Sequence, residues 1–179
     1  ATGASYTTRA VSALGSIAAA TSQMLVAGIA PGKLEFTFTI VNALNTGVAG
    51  KDDTSDTLTI ATTTSDVWSN GNPTCEAKDA SSSTLSATTY TTTGTNTLTI
   101  VVGGTWPAGV TTVICSSQIA VNPAAGVVPY TMFSTQDTTT ATGASYTTRD
   151  ATPLGSIAAA TSQMLVAGIA PGKLEFTFT

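Results

Sequence analysis

Histidine is absent from this 179-residue chain, and charge is scarce: Lys, Arg, Asp and Glu together make up 9% of it, against about a quarter in ordinary soluble domains. Without histidine the commonest general base is missing, and so is the usual activator of a Ser or Cys nucleophile. There is no GxSxG, no HExxH and no phosphate-cradling glycine loop. Paired acids, such as Asp52 with Asp66, are the one catalytic constellation that residue types leave open. The chain is therefore read as a non-enzyme with no cofactor. Asp52, Asp53 and Asp56 crowd one short stretch, with Asp66, Glu76 and Asp79 further on. They read as a solvated acidic turn. Calcium at Asp52, Asp53 and Asp56 is the sharper alternative, because hard cations take several loop oxygens, but the spacing follows no EF-hand pattern.

Basic residues number six, and the net charge is −4. Arg9, Lys33, Lys51, Lys78, Arg149 and Lys173 are scattered, which makes nucleic acid and anionic membranes poor partners. No apolar run approaches the ~20 residues of a membrane span. Residues 17–30 come nearest, and Thr21, Ser22, Gln23 and Gly28 interrupt them. The first residues lack the basic stretch of a secretory signal, and the chain reads as a segment of a longer polypeptide. No Asn-x-Ser/Thr sequon with a non-proline middle residue occurs. Cysteine is limited to Cys75 and Cys115. Two thiols without histidine are too few for a metal site. They are expected to form a disulfide bridging two sheets, which implies an oxidising compartment; two buried free thiols are the plainer alternative.

What the chain has in abundance is threonine, about a fifth of all residues, within a 42% hydrophobic composition. That combination suits β-structure whose exposed faces carry hydroxyls in place of charge. Leu34–Asn42 is the clearest strand, with Leu34, Phe36, Phe38 and Ile40 on one face and Glu35, Thr37 and Thr39 on the other. Thr57–Thr63, Asn96–Val102, Thr111–Ile119 and Val127–Ser134 follow, and Thr84–Thr92 reads as a weaker strand at an edge. Residues 14–29 are ambiguous and are read as extended, with a first strand at about 22–29. Turn-rich stretches separate these runs. About seven strands with almost no helix predict an all-β sandwich.

The chain also repeats itself. Residues 1–39 recur as residues 141–179, an offset of 140 positions, and only Ala10, Val11, Ser12 and Ala13 change, to Asp150, Ala151, Thr152 and Pro153. A fixed period marks an array of one unit. The predicted organisation is a linker or the end of a preceding module at 1–13, a sandwich unit at 14–140, a Thr-rich linker at 141–153 that overlaps the Thr-rich stretch 135–149, and the start of the next repeat at 154–179.

The succession LEFTFTIVN, TLTI, a Cys-containing loop, NTLTIVVGG, SSQIAVNPAAG and VVPYTMFSTQD resembles the Ig-like modules of Thr-rich, tandem-repeat surface and filament proteins of microbes. The likeness spans the whole unit and lies in pattern, with no signature motif. It implies an Ig-like sandwich in an extracellular, cell-surface fibre, stalk or adhesin.

Two strands alone are marginal in water, and Leu174, Phe176 and Phe178 would leave an apolar face open. The second copy is therefore expected to be completed by other β-structure. It is either the next unit of a longer chain or a strand donated to a neighbouring subunit. Leu34, Phe36 and Phe38 are the equivalent positions of the first copy. Either way the partner is a copy of the same chain, joined head to tail into a filament. An adhesin spacer or ligand-binding module is the alternative, with Trp68 or Trp106 stacking on surface glycans; core packing is the plainer reading of Trp68. Lys33, Glu35 and Asn42 could form an isopeptide cross-link, against a surface ion pair. Ser81–Thr95 and Thr135–Thr148 are candidate carriers of O-linked glycan.

Overall fold

The computed structural model describes residues 11–18, 20–22, 25–47, 54–64, 67–120, 122–152, 161–162 and 174–175. Two five-stranded sheets account for residues 21–148. In chain order the strands are β1 (Thr21–Ser22), β2 (Leu34–Ile40), β3 (Thr57–Thr62), β4 (Cys75–Asp79), β5 (Thr84–Leu85), β6 (Ala87–Thr93), β7 (Thr97–Val102), β8 (Gly109–Cys115), β9 (Gly126–Ser134) and β10 (Ala141–Thr148). The first sheet runs β1-β2-β8-β4-β5 and the second β10-β9-β3-β7-β6, with every pairing antiparallel. The predicted all-β sandwich is the observed architecture.

Alternation explains why the two sheets face each other. Leu34, Phe36, Phe38 and Ile40 of β2 are buried, as are Leu58 and Ile60 of β3, Leu98, Ile100 and Val102 of β7, and Val128, Tyr130 and Met132 of β9. Each such side chain is worth roughly 1.5–3 kcal/mol on leaving water. Phe36 meets Tyr130 edge-on, with ring centroids 4.9 Å apart, and the tilted ring of Trp68 lies 6.3 Å from Phe36. Threonine takes the outward positions: Thr91, Thr99 and Thr59 stand abreast on β6, β7 and β3.

The two long sides of the sandwich close differently. On one side the predicted strand Thr84–Thr92 is broken at Ser86, so that β5 pairs in the first sheet and β6 in the second. Gly103 fits under this crossing, its N–H donating to the Ser86 carbonyl at 2.9 Å. A Cβ there would lie 2.9 Å from Ala87 C and Thr88 N. On the other side, the described residues 12–18, 20–22 and 25–29 bridge to β2 and to the two ends of β10. Gly15 exchanges backbone hydrogen bonds with Thr39 (2.8 and 2.7 Å), and Ala18 N–H donates to Thr37 O at 2.9 Å. Ala13 and Val26 form parallel bridges to Thr139 and Arg149.

Several expectations require correction. The stretch read as a Thr-rich linker contains β10, an eight-residue strand paired with β9 from Gly126 to Met132. The unit thus extends to Arg149, beyond residue 140. The strand expected at 22–29 shrinks to Thr21–Ser22, because the chain turns at 27–29. The strand expected to reach Ile119 stops at Cys115. The Cys-containing loop contributes a strand of its own, β4.

Beyond β10 the backbone of the second copy pairs as the first does. β11 (Thr161–Ser162) and β12 (Leu174–Glu175) match Thr161 with Glu175 and Ser162 with Leu174. β1 and β2 match Thr21 with Glu35 and Ser22 with Leu34, each position 140 earlier.

Candidate functional site

Two buried hydrogen-bonded clusters lie where the chain comes into the sandwich and where it leaves. Ser12 and Ala13 lie beside Thr139, just before β10, and Leu25, Val26 and Ala27 lie beside Arg149, just after it. The chain therefore enters at one end of the sandwich and leaves at the other, with the length of β10 between.

At the Ser12 end a single carboxylate holds three segments. Asp137 is fully buried. It accepts from Ser12 Oγ at 2.7 Å, from Asn42 Nδ2 at 2.6 Å, and from the backbone N–H groups of Val41 and Asn42 at 3.1–3.2 Å. Its own N–H donates to Ser134 Oγ at 2.8 Å, which shapes the turn after β9. Burial alone would push this carboxyl up. The donors from Ser12, Asn42 and Val41 outweigh it and hold the carboxyl below its ordinary range. Asn42 Nδ2 also lies 2.6 Å from Ser12 Oγ, and Thr139 N–H donates to the Ser12 carbonyl at 2.9 Å. The incoming segment, the end of β2 and the β9–β10 turn are thus joined by one buried anion with charge-assisted bonds.

At the Arg149 end the pins are backbone and amide. Arg149 N–H donates to Leu25 O, and Ala27 N–H to Arg149 O, both at 2.8 Å. Asn122 is buried beside them. Its Nδ2 donates to Val26 O at 3.0 Å, and its Oδ1 accepts from the Tyr146 hydroxyl of β10 at 3.3 Å. Tyr146 packs beside Tyr130, centroids 6.0 Å apart. Sequence reading passed over both Asp137 and Asn122. Asp137 had a usable signal, a lone acid among Thr and Ser directly after an apolar strand.

The cysteines form a disulfide, but within one sheet. Cys75 of β4 and Cys115 of β8 are directly opposite partners, Cα atoms 4.1 Å apart, so the expected bridge between sheets is not made. The close pair of an antiparallel ladder brings side chains together on one face, which is the geometry this bond uses. Beside it lies an open groove of about 370 Å³, lined by Lys33, Thr74, Cys75, Glu76, Ile114 and Ser116.

The other expected sites separate. Lys33 pairs with Glu35 at 3.1 Å on the surface, while Asn42 is engaged by Asp137 and Ser12. The isopeptide geometry is therefore absent and the ion pair is what forms. Asp56 accepts from Asn45 N–H, Thr135 Oγ1 and Gln136 Nε2; Asp52, Asp53 and Asp66 lie outside the described residues. No group of three or more His, Cys, Asp or Glu that could hold a metal occurs among the described residues. Trp68 and Trp106 are both fully buried, and Trp106 Nε1 donates to Ser86 O at 2.6 Å. Neither indole face is open to a sugar. Leu34, Phe36 and Phe38 are core residues of the unit itself; Leu174 opens β12, and Phe176 and Phe178 lie outside the described residues. Among the described residues no helix is long and apolar enough to cross a membrane.

No protein-family model matches the chain, and no curated protein does. Among solved structures, it is similar to a DUF4466 family protein from Parabacteroides merdae, with 14% identity, 86% of this chain covered and a TM-score of 0.42. The chain spans 49% of that protein's length.

Proposed function

We propose that this chain is a stretch of a tandem-repeat, non-catalytic structural protein whose Ig-like units join head to tail in an extracellular filament. The observation that carries the reading is the path of the chain. It enters the sandwich at Ser12 and leaves at Arg149, the opposite end, and the residues that follow continue the copy of 1–39 that starts at Ala141. Units connected that way extend as a line. The identical strand pairing at an offset of 140 supports it, and so does Thr152, which keeps the hydroxyl of Ser12 at the matching position.

The Ig-like refinement rests on neighbour relations. In β1-β2-β8-β4 and β10-β9-β3 the order is that of the A-B-E-D and G-F-C sheets. The β6–β7 hairpin is then an insertion that extends the second sheet beyond β3. The disulfide favours an oxidising, extracellular setting. Uncharged threonine rows on the second sheet are the surface on which O-linked sugars would sit.

Strand donation between discrete subunits is the weaker form of this reading, because β9 already carries the chain's own β10. An adhesin spacer is the alternative from another class. It would rest on the groove beside the disulfide, none of whose lining residues is aromatic.

The test is the intact mass of native material after reduction and denaturation. Masses rising in steps of one 140-residue unit are expected. A discrete 17.9 kDa species would remove the tandem chain and leave strand donation.

A further inference from the structure

We infer that consecutive units are joined by only two free residues, Asp150 and Ala151, so that they abut as a stiff rod of fixed spacing. The inference rests on the tandem reading and deepens it. Arg149 is the last residue pinned to one unit, through Leu25 and Ala27. Ser12 is pinned to its unit by Asp137 and Thr139, and Thr152 holds its place in the repeat. Between these anchors stand Asp150 and Ala151, both exposed.

The substitutions in the second copy are compatible with the same anchoring. A threonine hydroxyl can donate to a carboxylate as a serine hydroxyl does. Pro153 replaces Ala13, whose parallel bridge is made by Thr139 N–H donating to the carbonyl of Ser12. The N–H that proline lacks is not the donor of that bond.

The spacing then follows from chain geometry. Ser12 is level with Thr139, and ten residues lead from there to Arg149, one of them taken up by the bulge at Gly143, so the span is about 30 Å at strand rise. Three peptide steps, from Arg149 to Thr152, add at most about 11 Å. The axial repeat is therefore between about 30 and 41 Å for each unit. A joint this short brings the Arg149 end of one unit against the Ser12 end of the next. Both ends present apolar side chains to solvent in a single unit: Leu25 and Ile29 are 38% and 47% exposed at the first, and Val41 is 47% exposed at the second. Their occupant is the adjoining unit of the same chain, which removes apolar surface from water on both sides.

The test is cryo-electron microscopy of native filaments, with the denatured mass measured on the same material. One unit every ~30–41 Å, with Leu25 and Ile29 covered by the following unit, is the expected result. Mass steps of one unit with a longer or variable spacing, or with solvent at Leu25 and Ile29, overturn the abutted joint and leave the tandem chain standing. A discrete 17.9 kDa species overturns the tandem reading, and the joint with it.

Discussion

Asn42 Nδ2 donates to Asp137 Oδ1 across 95 residues of sequence, at 2.6 Å, with the carboxylate fully buried and Asn42 half-buried. The pair couples the end of β2 to the turn before β10. Replacing Asp137 with Ala leaves the Asn42 and Ser12 side chains and two backbone N–H groups without their acceptor. A cost of about 3 kcal/mol is expected, measured by denaturant unfolding; a change under about 1 kcal/mol would show the carboxylate to be dispensable.

The same carboxylate sets an acid limit. Its folded-state pKa lies below the ordinary value, so its stabilisation is complete above about pH 4 and is lost as pH falls through the lower folded value. Thermal midpoints followed downward from neutral pH should fall in that window. The Asp137→Asn variant should start lower and fall less steeply. Parallel curves for the two proteins would assign the acid sensitivity elsewhere.

Cys75 and Cys115 close a 40-residue separation. On the loop-entropy account their bond contributes about 4 kcal/mol through the unfolded state. Changing both to Ser should lower the midpoint by roughly 10 °C while near-UV circular dichroism stays native, because β4 and β8 remain laddered without the bond. Complete loss of structure would mean that the bond defines the β4–β8 register as well as stabilising it.

Gly103 sits where the chain crosses between sheets. Its Cβ, if present, would meet backbone atoms at 2.9 Å, which a side-chain rotation cannot relieve. Gly103→Ala should cost about 2 kcal/mol, and hydrogen exchange should rise first in β6 and β7. An unaffected β6–β7 hairpin would show that the crossing has room to relax.

A chain of residues 10–140 lacks both β10 and the identical stretch 1–9, and exposes the edge of β9 above Tyr130 and Met132. It should aggregate or bind a hydrophobic dye. A peptide of sequence ATGASYTTR should restore the native spectrum by strand addition, and the same peptide with Tyr146→Asp should not. Folding of the shortened chain without peptide would demote β10 to an accessory strand.

The strands with large inward residues were legible because period-2 alternation reports burial directly. LEFTFTI and TLTIVV carry Leu, Ile, Val and Phe at every second position, and each is buried. β10 was not legible. Its inward positions are Ala141, Ala144, Tyr146 and Thr148, mostly small or polar. A bulge between Thr142 and Ala144, with Gly143 at φ 123°, shifts the alternation by one. A segment so weakly apolar becomes a strand because the edge of β9 offers it partners, and no local pattern records that. β4 was missed for the same reason, as its only fully buried residue is Ala77.

Composition and period alone determined that this is a β-protein, poor in charge, whose first 39 residues recur 140 positions later. Residue type sets the affinity for strands, and repetition needs no coordinates to be seen. Only the tertiary structure decided where the unit ends, which sheet holds the disulfide and what Asp137 does. Each depends on residues between 40 and 125 positions apart being brought within hydrogen-bond or covalent reach, and such pairings are selected by the packing of the two sheets as a whole.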